Sequence, residues 1–514
     1  MDHDQPSPAA TPSASVACVN CREKHLKCDG NVSGCTRCRT LNLYCYFVPS
    51  RRGRKCRPGP MPGDSLRTES LGAAGDVSPC DLDAVTERRE PPGMDSNHLV
   101  GLYYLHFHQA HPFLPPHEVF LQSSPPAYLV NLVEYVGWHY LVNPVPDRTT
   151  SLRAAVQEAD LSIVKVQALL LLSIILHTRL HPTEAKECLA QAIQCSLELG
   201  LHYRGFSDAL ETHSPVGAES ARRTWWEIFI VDTLLAAVQV EGSLQFTLET
   251  PDVPLPCAQE DYTGAFSGGG LVSISDMDRQ ALLHDDAEFS SPAYRVEAAV
   301  ILRRCLLVGT THAPQESVDV LDATITSWFH RVQSPCGNRP LLRHTGETDQ
   351  MIFQATTIMH CASIYLHFPK SSLLAFLPIT GRIFCAGPPA FSSIALNPQI
   401  HTAKVLAAAT GLSKLASLSS SVVGHTPFFV CTLILSAIIQ LAVLSIEVPH
   451  TTSAVRPYLG LNIGTLKAMR SLWAIAAVSM ERIRNVTKEV EDVLAGGCLP
   501  QLTDDDAAWL DCMT

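Results

Sequence analysis

The feature that most constrains this chain is a group of six cysteines within 28 residues near its N-terminus. They are Cys18, Cys21, Cys28, Cys35, Cys38 and Cys45. The spacing is a C-x2-C-x6-C half that is repeated after six residues, and each C-x2-C pair lets two thiolates reach one tetrahedral ion. Six thiolates are two short of two separate four-sulfur sites. The economical solution is a cluster of two zinc ions in which two thiolates bridge.

Basic residues in and after the motif indicate a polyanionic partner. Between the second and third cysteines the sequence is REKHLK, and a short helix there would display Arg22, Lys24, His25 and Lys27. A basic tract follows at Arg51, Arg52, Arg54, Lys55 and Arg57. This tract can contact the DNA backbone and direct nuclear import, or it can be an ordinary solvated charge run. As alternatives to a zinc cluster that contacts a polyanion, the cysteines could form a zinc knot used only for protein contact, or a disulfide knot.

Charge is divided unevenly along the chain. Residues 1–60 carry ten Lys and Arg against four Asp and Glu, whereas residues 61–514 carry 28 against 46. This division predicts a small polyanion-binding head on a large acidic body. The N-terminal residues do not resemble a signal peptide, so we expect a reducing compartment in which thiols are free or metal-bound.

Composition and periodicity divide the chain into five segments. Residues 1–17 are predicted to be a disordered arm, 18–48 the cysteine domain, and 49–96 a basic tract and flexible linker. Apolar residues at helical period recur through 97–495, which predicts a large all-helical regulatory domain, and 496–514 form an acidic tail. The predicted fold class is therefore mainly α.

Several helices can be placed from the pattern. Gly200 lies where a helix C-cap requires a positive φ, at the end of the segment 183–200. One face of this segment is predicted to consist of Ala185, Leu189, Ala192, Ile193, Ser196 and Leu197. Loops are expected near 258–275 and 386–399. Residues 427–446 carry no charge, but their polar residues and missing Lys or Arg flanks favour a buried core helix over a membrane span. Similar helical faces recur around 162–179, 218–240, 294–311, 316–333, 350–367, 401–417, 427–446 and 461–495.

Residues 18–57 resemble the fungal Zn2Cys6 binuclear-cluster DNA-binding domain, and their cysteine pattern is highly specific. The resemblance implies that Cys18 and Cys35 bridge two zinc ions, and that the end of the first helix reads a CGG triplet in the major groove. His25 stands where this family most often has a base-contacting Lys or Arg. Imidazole can donate to guanine but adds little charge near pH 7. The family contacts phosphate through the residues that correspond to Arg37 and Arg39.

The body resembles, more weakly, the fungal-specific transcription factor domain, also called the middle homology region. The opening helix of that domain is expected at 98–120, HLVGLYYLHFHQAHPFLPPHEVF. Further motifs are QALLLLSIILHTR at 167–179, AIQCSLELGLHYR at 192–204, ESARRTWWEIFIVD at 219–232 and DVPLP at 252–256. Their order behind a zinc cluster makes the resemblance specific.

These resemblances imply a sequence-specific, zinc-dependent transcription factor in the nucleus of a fungus. It is expected to regulate RNA polymerase II genes, as an activator of a secondary-metabolite or nutrient-use gene cluster. Expected partners are double-stranded DNA with CGG-like triplets and transcriptional coactivators, and no membrane. A homodimer and a small-molecule effector stay open, because the linker has no sustained heptad pattern and the body has no diagnostic ligand motif. The alternative is a ligand-sensing or protein-interaction scaffold whose zinc module does not read DNA sequence.

No catalytic motif supports an enzyme: the nucleophile elbow, the zinc-protease helix, the phosphate loop and the dinucleotide fingerprint do not occur. His106, His108 and His111 cluster in sequence, but without a paired carboxylate or cysteine they are expected at the core edge rather than on a metal. Trp225 and Trp226 are predicted core anchors. Surface or interhelix ion pairs are expected at Arg222, Arg223 and Asp232.

The end of the chain combines acidic and large apolar side chains. The residues that carry this pattern are Asp504, Asp505, Asp506, Trp509 and Leu510. Such a segment can keep hydrophobic side chains exposed for a coactivator groove, or it can be an ordinary frayed terminus.

Overall fold

A computed structural model divides the chain into two units, Met1–Arg88 and Arg89–Thr514. The division falls within 49–96, the segment that the sequence predicts to be a basic tract and linker. The structure describes residues 17–18, 21–22, 26–30, 35–40, 95–141, 145–239, 243–245, 252–263, 271–283, 289–309, 314–333, 341–343, 346–376, 397–418, 422–446 and 454–495.

Both units are helical. The first contains α1 (Thr36–Thr40). The second contains α2 (Ser96–Leu102), α3 (His117–Gln122), α4 (Ala127–His139), α5 (Thr149–Gln157), α6 (Ile163–Thr178), α7 (Pro182–Leu199), α8 (Arg204–Glu211), α9 (Pro215–Val238), α10 (Gln259–Thr263), α11 (Ile274–Leu283), α12 (Ser291–Gly309), α13 (Gln315–Gln333), α14 (Gln350–His367), α15 (Pro398–Leu415), α16 (Phe428–Leu444), α17 (Arg456–Met469) and α18 (Ala474–Ala495). A π-helical turn at Tyr103–Phe107 and 3-10 turns at Phe368–Lys370, Ser372–Phe376 and Val422–Gly424 are also present. Within the described ranges, extended backbone pairs only in an isolated bridge between Leu342 and Thr348.

Helix α16 lies in the middle of the second unit's core, because every one of its residues is buried. This confirms the prediction of a core helix at 427–446. No described helix combines the length and the apolar character that a membrane crossing requires.

Polar side chains on α16 are satisfied by neighbouring helices. Ser436 donates to the Ala409 carbonyl oxygen at 2.8 Å, and the Gln440 amide donates to Ser413 Oγ at 2.8 Å. The Asn462 amide donates to both Ser436 and Gln440 at 3.1 Å. This buried network joins α15, α16 and α17 and fixes how they align, because each misplacement would leave a polar atom unpaired.

The predicted end of α7 is confirmed. Gly200 has φ +80°, a backbone conformation that is strained for residues with a side chain. Of the predicted apolar face, the last residue, Leu197, is half-buried, and the other five are buried: Ala185, Leu189, Ala192, Ile193 and Ser196. The helical apolar pattern around 461–495 spans two helices, the C-terminal part of α17 and the whole of α18. They separate where Trp473 turns inward to pack near Phe107, with ring centroids 6.4 Å apart.

The opening helix predicted at 98–120 is wrong as one continuous element. Helix α2 ends at Leu102, and the π-helical turn follows, in which the His108 N–H donates to the Tyr103 carbonyl oxygen at 2.9 Å. The next helix starts only at His117 because prolines 112, 115 and 116 cannot donate the backbone hydrogen bonds that a helix needs. In the predicted loop at 258–275, the structure contains the short helix α10.

Candidate metal centre and nucleic-acid interface

Four cysteines of the first unit converge on one point. The sulfur atoms of Cys18, Cys21, Cys28 and Cys35 all lie within 4.8 Å of one another, and three of these residues are buried. Cys38 joins them, because its Sγ lies 3.7 Å from the Sγ of Cys18. Cys45 lies outside the described residues.

The sulfur–sulfur distances fit zinc. Four sulfurs at about 2.3 Å from a tetrahedral ion are about 3.8 Å apart. Cys18 and Cys35 Sγ are separated by 3.8 Å, as are Cys21 and Cys35 Sγ. All three close pairs, Cys18 with Cys35, Cys18 with Cys38 and Cys21 with Cys35, cross from one half of the motif to the other. This is the contact pattern that bridging thiolates require, since each must belong to both ions.

Local backbone contacts hold the thiols in place. The Arg22 N–H donates to the Cys18 carbonyl oxygen at 2.9 Å, which forms the turn of the first C-x2-C pair. Gly30, two residues after the third cysteine, has φ +70°, in the left-handed region that favours glycine. The Asp29 carboxylate accepts hydrogen bonds from the Thr36 N–H at 3.0 Å and from its hydroxyl at 2.6 Å. Asp29 therefore caps α1 and ties the two halves together, a role that the sequence analysis missed.

The thiols need a cation to ionise together. Desolvation, and then the neighbouring Cys18 and Cys35 thiols, raise the pKa of Cys21 to about 11, while a hydrogen bond from Arg37 opposes the rise. Divalent ions supply the charge that stabilises thiolates at neutral pH. The donor set therefore suits zinc.

The structure describes only some of the predicted DNA-binding residues. Arg22 and Lys27 are exposed, and Arg37 is half-buried against Cys21. The backbone of Arg39 belongs to α1, but its side chain is outside the description. The other predicted contacts, Lys24, His25, Arg51, Arg52, Arg54 and Lys55, lie outside the described residues, as do the acidic and apolar residues of the C-terminal tail. These assignments stay predictions.

Among the described residues, the cysteine group is the one cluster of three or more possible ligand side chains with metal-binding geometry. His111 is buried, with Nδ1 2.7 Å from Glu227 and Nε2 2.9 Å from the Thr426 hydroxyl. Glu227 also accepts two hydrogen bonds from Arg295. Burial opposes ionisation of Glu227, but the Arg295 guanidinium and then His111 lower its pKa to about 2.

Helix α9 carries further buried charges. Trp225 and Trp226 are fully buried, which confirms them as core anchors, and the Trp226 indole N–H donates to the Pro254 carbonyl oxygen of the DVPLP motif. Arg222 pairs with Glu211 across to α8 at 2.9 Å, and Asp232 pairs with Arg303 of α12 at 3.0 Å. Interhelix ion pairs are thus confirmed for Arg222 and Asp232, whereas Arg223 pairs with Glu219 within α9 at 2.7 Å. The surface alternative is wrong, because Arg222, Arg223 and Asp232 are buried.

A cleft of ≈ 630 Å³ opens beside the π-helical turn of the second unit. Side chains that line it include Tyr104, His106, His108, His117, Arg343 and Asp349. His108 is only 6% exposed, and neither of its ring nitrogens has a hydrogen-bond partner among the described residues. Burial, and then the charge of Arg223, lower the pKa of His108 to about 3, so the imidazole is neutral at physiological pH. This cleft was not predicted from the sequence, although the closely spaced prolines indicate that the opening helix breaks.

Comparisons with known proteins agree with this arrangement. The model of the fungal Zn(2)-Cys(6) binuclear cluster domain matches residues 16–55, and that of the fungal specific transcription factor domain matches residues 100–294. The C6 finger domain transcription factor iacK of Pestalotiopsis fici is 27% identical over an alignment of 553 residues, which covers 93% of this chain and 81% of the relative. The transcription factor rglT of Emericella nidulans is 41% identical over 56 residues, 10% of this chain and 13% of the relative. No solved structure is a significant match.

Proposed function

Because this chain belongs to the fungal Zn2Cys6 transcription factors, a family that is not enzymatic and binds two zinc ions, we propose that it reads specific DNA sequences in the nucleus. The proposed targets are RNA polymerase II promoters with CGG-like triplets. The chain would act there as an activator of a secondary-metabolite or nutrient-use gene cluster. The observation that carries the proposal is the group of cysteine sulfurs with tetrahedral spacing, bordered by the exposed Arg22 and Lys27.

Six cysteines are proposed to hold the two ions, with Cys18 and Cys35 as bridges. The distances that cross between the two halves support this assignment for Cys18, Cys21, Cys35 and Cys38, and Cys28 lies within 4.8 Å of the first three of these. Cys45 completes the set by its spacing. Zinc would act structurally: it would bring the two halves together and would do no chemistry on a substrate.

In the proposed interface, some side chains read the base sequence and others bind the phosphate backbone. Side chains between Cys21 and Cys28 would reach base edges, with His25 at the reading position and Arg22, Lys24 and Lys27 beside it. Phosphate affinity would come from the basic tract that begins at Arg51, and from Arg37 and Arg39. The hydrogen bond from Arg37 to Cys21 gives that arginine a second role, in holding the thiol cluster.

The direct test is selection of bound sequences from a random DNA library with the zinc-loaded full chain. We expect an enriched CGG-like triplet, and its spacing reports whether one or two copies bind. His25→Ala should relax base preference at one position and leave the others unchanged. Binding without any sequence preference would favour the scaffold alternative, in which the zinc module makes protein contacts.

The activating segment is proposed to be the tail at 496–514. Fused to an unrelated DNA-binding domain, this segment should drive a reporter gene. Replacing Trp509 and Leu510 together by alanine should abolish that activity, because the apolar anchors hold the coactivator. Neutralising Asp504, Asp505 and Asp506 should lower it only in part. A silent fusion would move the activating surface into the helical unit.

A further inference from the structure

We propose that the cleft beside the π-helical turn binds an uncharged aromatic molecule that carries a hydroxyl group. His108 carries the inference, because it is buried in the lining and both of its ring nitrogens lack a partner among the described residues. A buried polar group without a partner costs free energy, and most such groups in folded proteins are satisfied. Both nitrogens are closed off from the cleft in this structure, so a ligand would supply the missing hydrogen bond once the His108 ring turns towards it.

The cleft has the size and lining of a small-molecule site. Its volume of ≈ 630 Å³ falls within the range of about 300–1,000 Å³ that such sites occupy. The Tyr104 ring lies 4.6 Å from His108 and 4.6 Å from His117, centroid to centroid. Leu105, which is 51% exposed, adds an apolar wall. Flat rings beside an aliphatic surface favour a flat aromatic ligand.

The charges of the lining favour an uncharged ligand. The His108 imidazole is neutral, with one nitrogen as donor and the other as acceptor. Arg343 is already paired with Glu260 at 3.3 Å and with Asp349 at 3.6 Å. An anion could meet only the donor nitrogen, and the carboxylates of Glu347 and Asp349 in the same lining would oppose it. A hydroxyl group can meet either nitrogen, since it both donates and accepts.

The break in the opening helix creates the site. In a continuous helix through 98–120, Tyr104 and His117 would lie on separate turns, far apart along the helix axis. The π-helical turn and the prolines after it fold the segment back, so that both rings lie on the same side of the cleft. π-helical turns often occur at functional sites for this reason.

The experiment uses the zinc-loaded full chain without DNA and three probes of similar shape. They are 2-naphthol, naphthalene, which lacks the hydroxyl group, and 2-naphthoate, which is an anion. We expect saturable binding of 2-naphthol in equilibrium dialysis, about five- to tenfold tighter than either of the others, as one hydrogen bond provides. His108→Phe should bring 2-naphthol to the affinity of naphthalene.

A second variant tests the location without touching the buried ring. Leu105→Trp fills the cleft from an exposed position and should abolish binding, whereas Leu307→Trp, at a residue that is 50% exposed on α12, should leave it unchanged. If His108→Phe does not fold, the comparison of Leu105→Trp with Leu307→Trp decides whether the ligand binds in the cleft. Equal affinity for 2-naphthol and naphthalene, no saturable binding of either, or full binding by Leu105→Trp would overturn the proposal. Because no DNA is present, these outcomes are independent of whether the chain reads DNA sequence.

Discussion

The two units of this chain are held together by different interactions. The described core of the first unit consists of cysteines: Cys18, Cys21, Cys35 and Cys38, with Cys28 packed against them. The second unit has one continuous core of aliphatic and aromatic side chains that runs from α2 to α18. A few thiols bury too little apolar surface to stabilise a fold, so the first unit depends on metal, whereas the second depends on hydrophobic burial. The same chain should therefore respond to chelators in one unit and to core mutations in the other.

Removing a bridging thiolate of the zinc cluster should have the largest effect, and it should affect only the first unit. Cys18→Ala removes a thiolate that serves both ions, so both zinc ions should be lost and specific DNA binding should fall about a thousandfold or more. Zinc content and DNA affinity of the full chain measure this, with Cys56→Ala outside the motif as the matched control. Cys45→Ala should lose less metal at first. Retention of one tightly held ion in Cys18→Ala would contradict the bridged cluster.

The reverse experiment targets the second unit. Glu227→Gln leaves Arg295 buried without its charge partner, so the free energy of unfolding of this unit should fall by about 3–5 kcal/mol, with zinc content unchanged. Denaturant unfolding followed by circular dichroism measures the loss. Glu187→Gln breaks an exposed pair with Arg153 instead and should change stability by less than about 0.5 kcal/mol. Equal effects of the two substitutions would show that the buried pair is not specially stabilising.

Acid should weaken the second unit through the same carboxylate. The pKa of Glu227 is lowered from 4.5 to about 2, so its contribution to stability is fully present above pH 4.5 and is lost as the pH falls towards 2. Wild-type protein should therefore lose stability over this window more steeply than Glu227→Gln. Unfolding midpoints measured at several pH values test the difference. Parallel slopes for the two proteins would assign the acid sensitivity to other groups.

A smaller effect should separate DNA affinity from metal binding within the first unit. Replacing Arg51, Arg52 and Arg54 by alanine should weaken binding to all DNAs alike and should flatten the salt dependence by about 0.9 per lost contact. Zinc content and the stability of the second unit should not change. Loss of sequence preference in this variant would show that the basic tract contributes to base recognition as well as to phosphate binding.

The smallest expected change lies at the join between the two halves of the cluster. Asp29→Ala removes the cap of α1 and should destabilise the zinc-bound fold by about 1 kcal/mol, whereas Asp29→Asn keeps a capping oxygen and should cost less. Competition with a zinc chelator measures both variants. No difference between them would indicate that charge, rather than capping, is what Asp29 contributes.

The features that could be predicted from sequence are those whose physical cause is local. The cysteine spacing brings sulfurs to one point because each pair is only a turn apart, and Gly200 ends α7 because it tolerates positive φ. The uncharged segment at 427–446 is a buried helix because it lacks both charges and interfacial anchors. Apolar periodicity alone predicted the wrong structure at 98–120. It indicates one continuous helix there, but prolines 112, 115 and 116 interrupt it.

The sequence by itself determined the metal chemistry, the helical class and the order of the units, because these follow from residue types at short, regular spacings. Only the tertiary structure decided how the buried charges and the cleft are built. Glu227 meets partners 68 and 116 residues away in the chain, and His111 meets Thr426 across 315 residues. No local pattern encodes such pairs, because their energy is gained only after distant helices exclude water together. The unpartnered nitrogens of His108 belong to the same class, since their isolation is a property of the packed fold and not of the residues beside them in sequence.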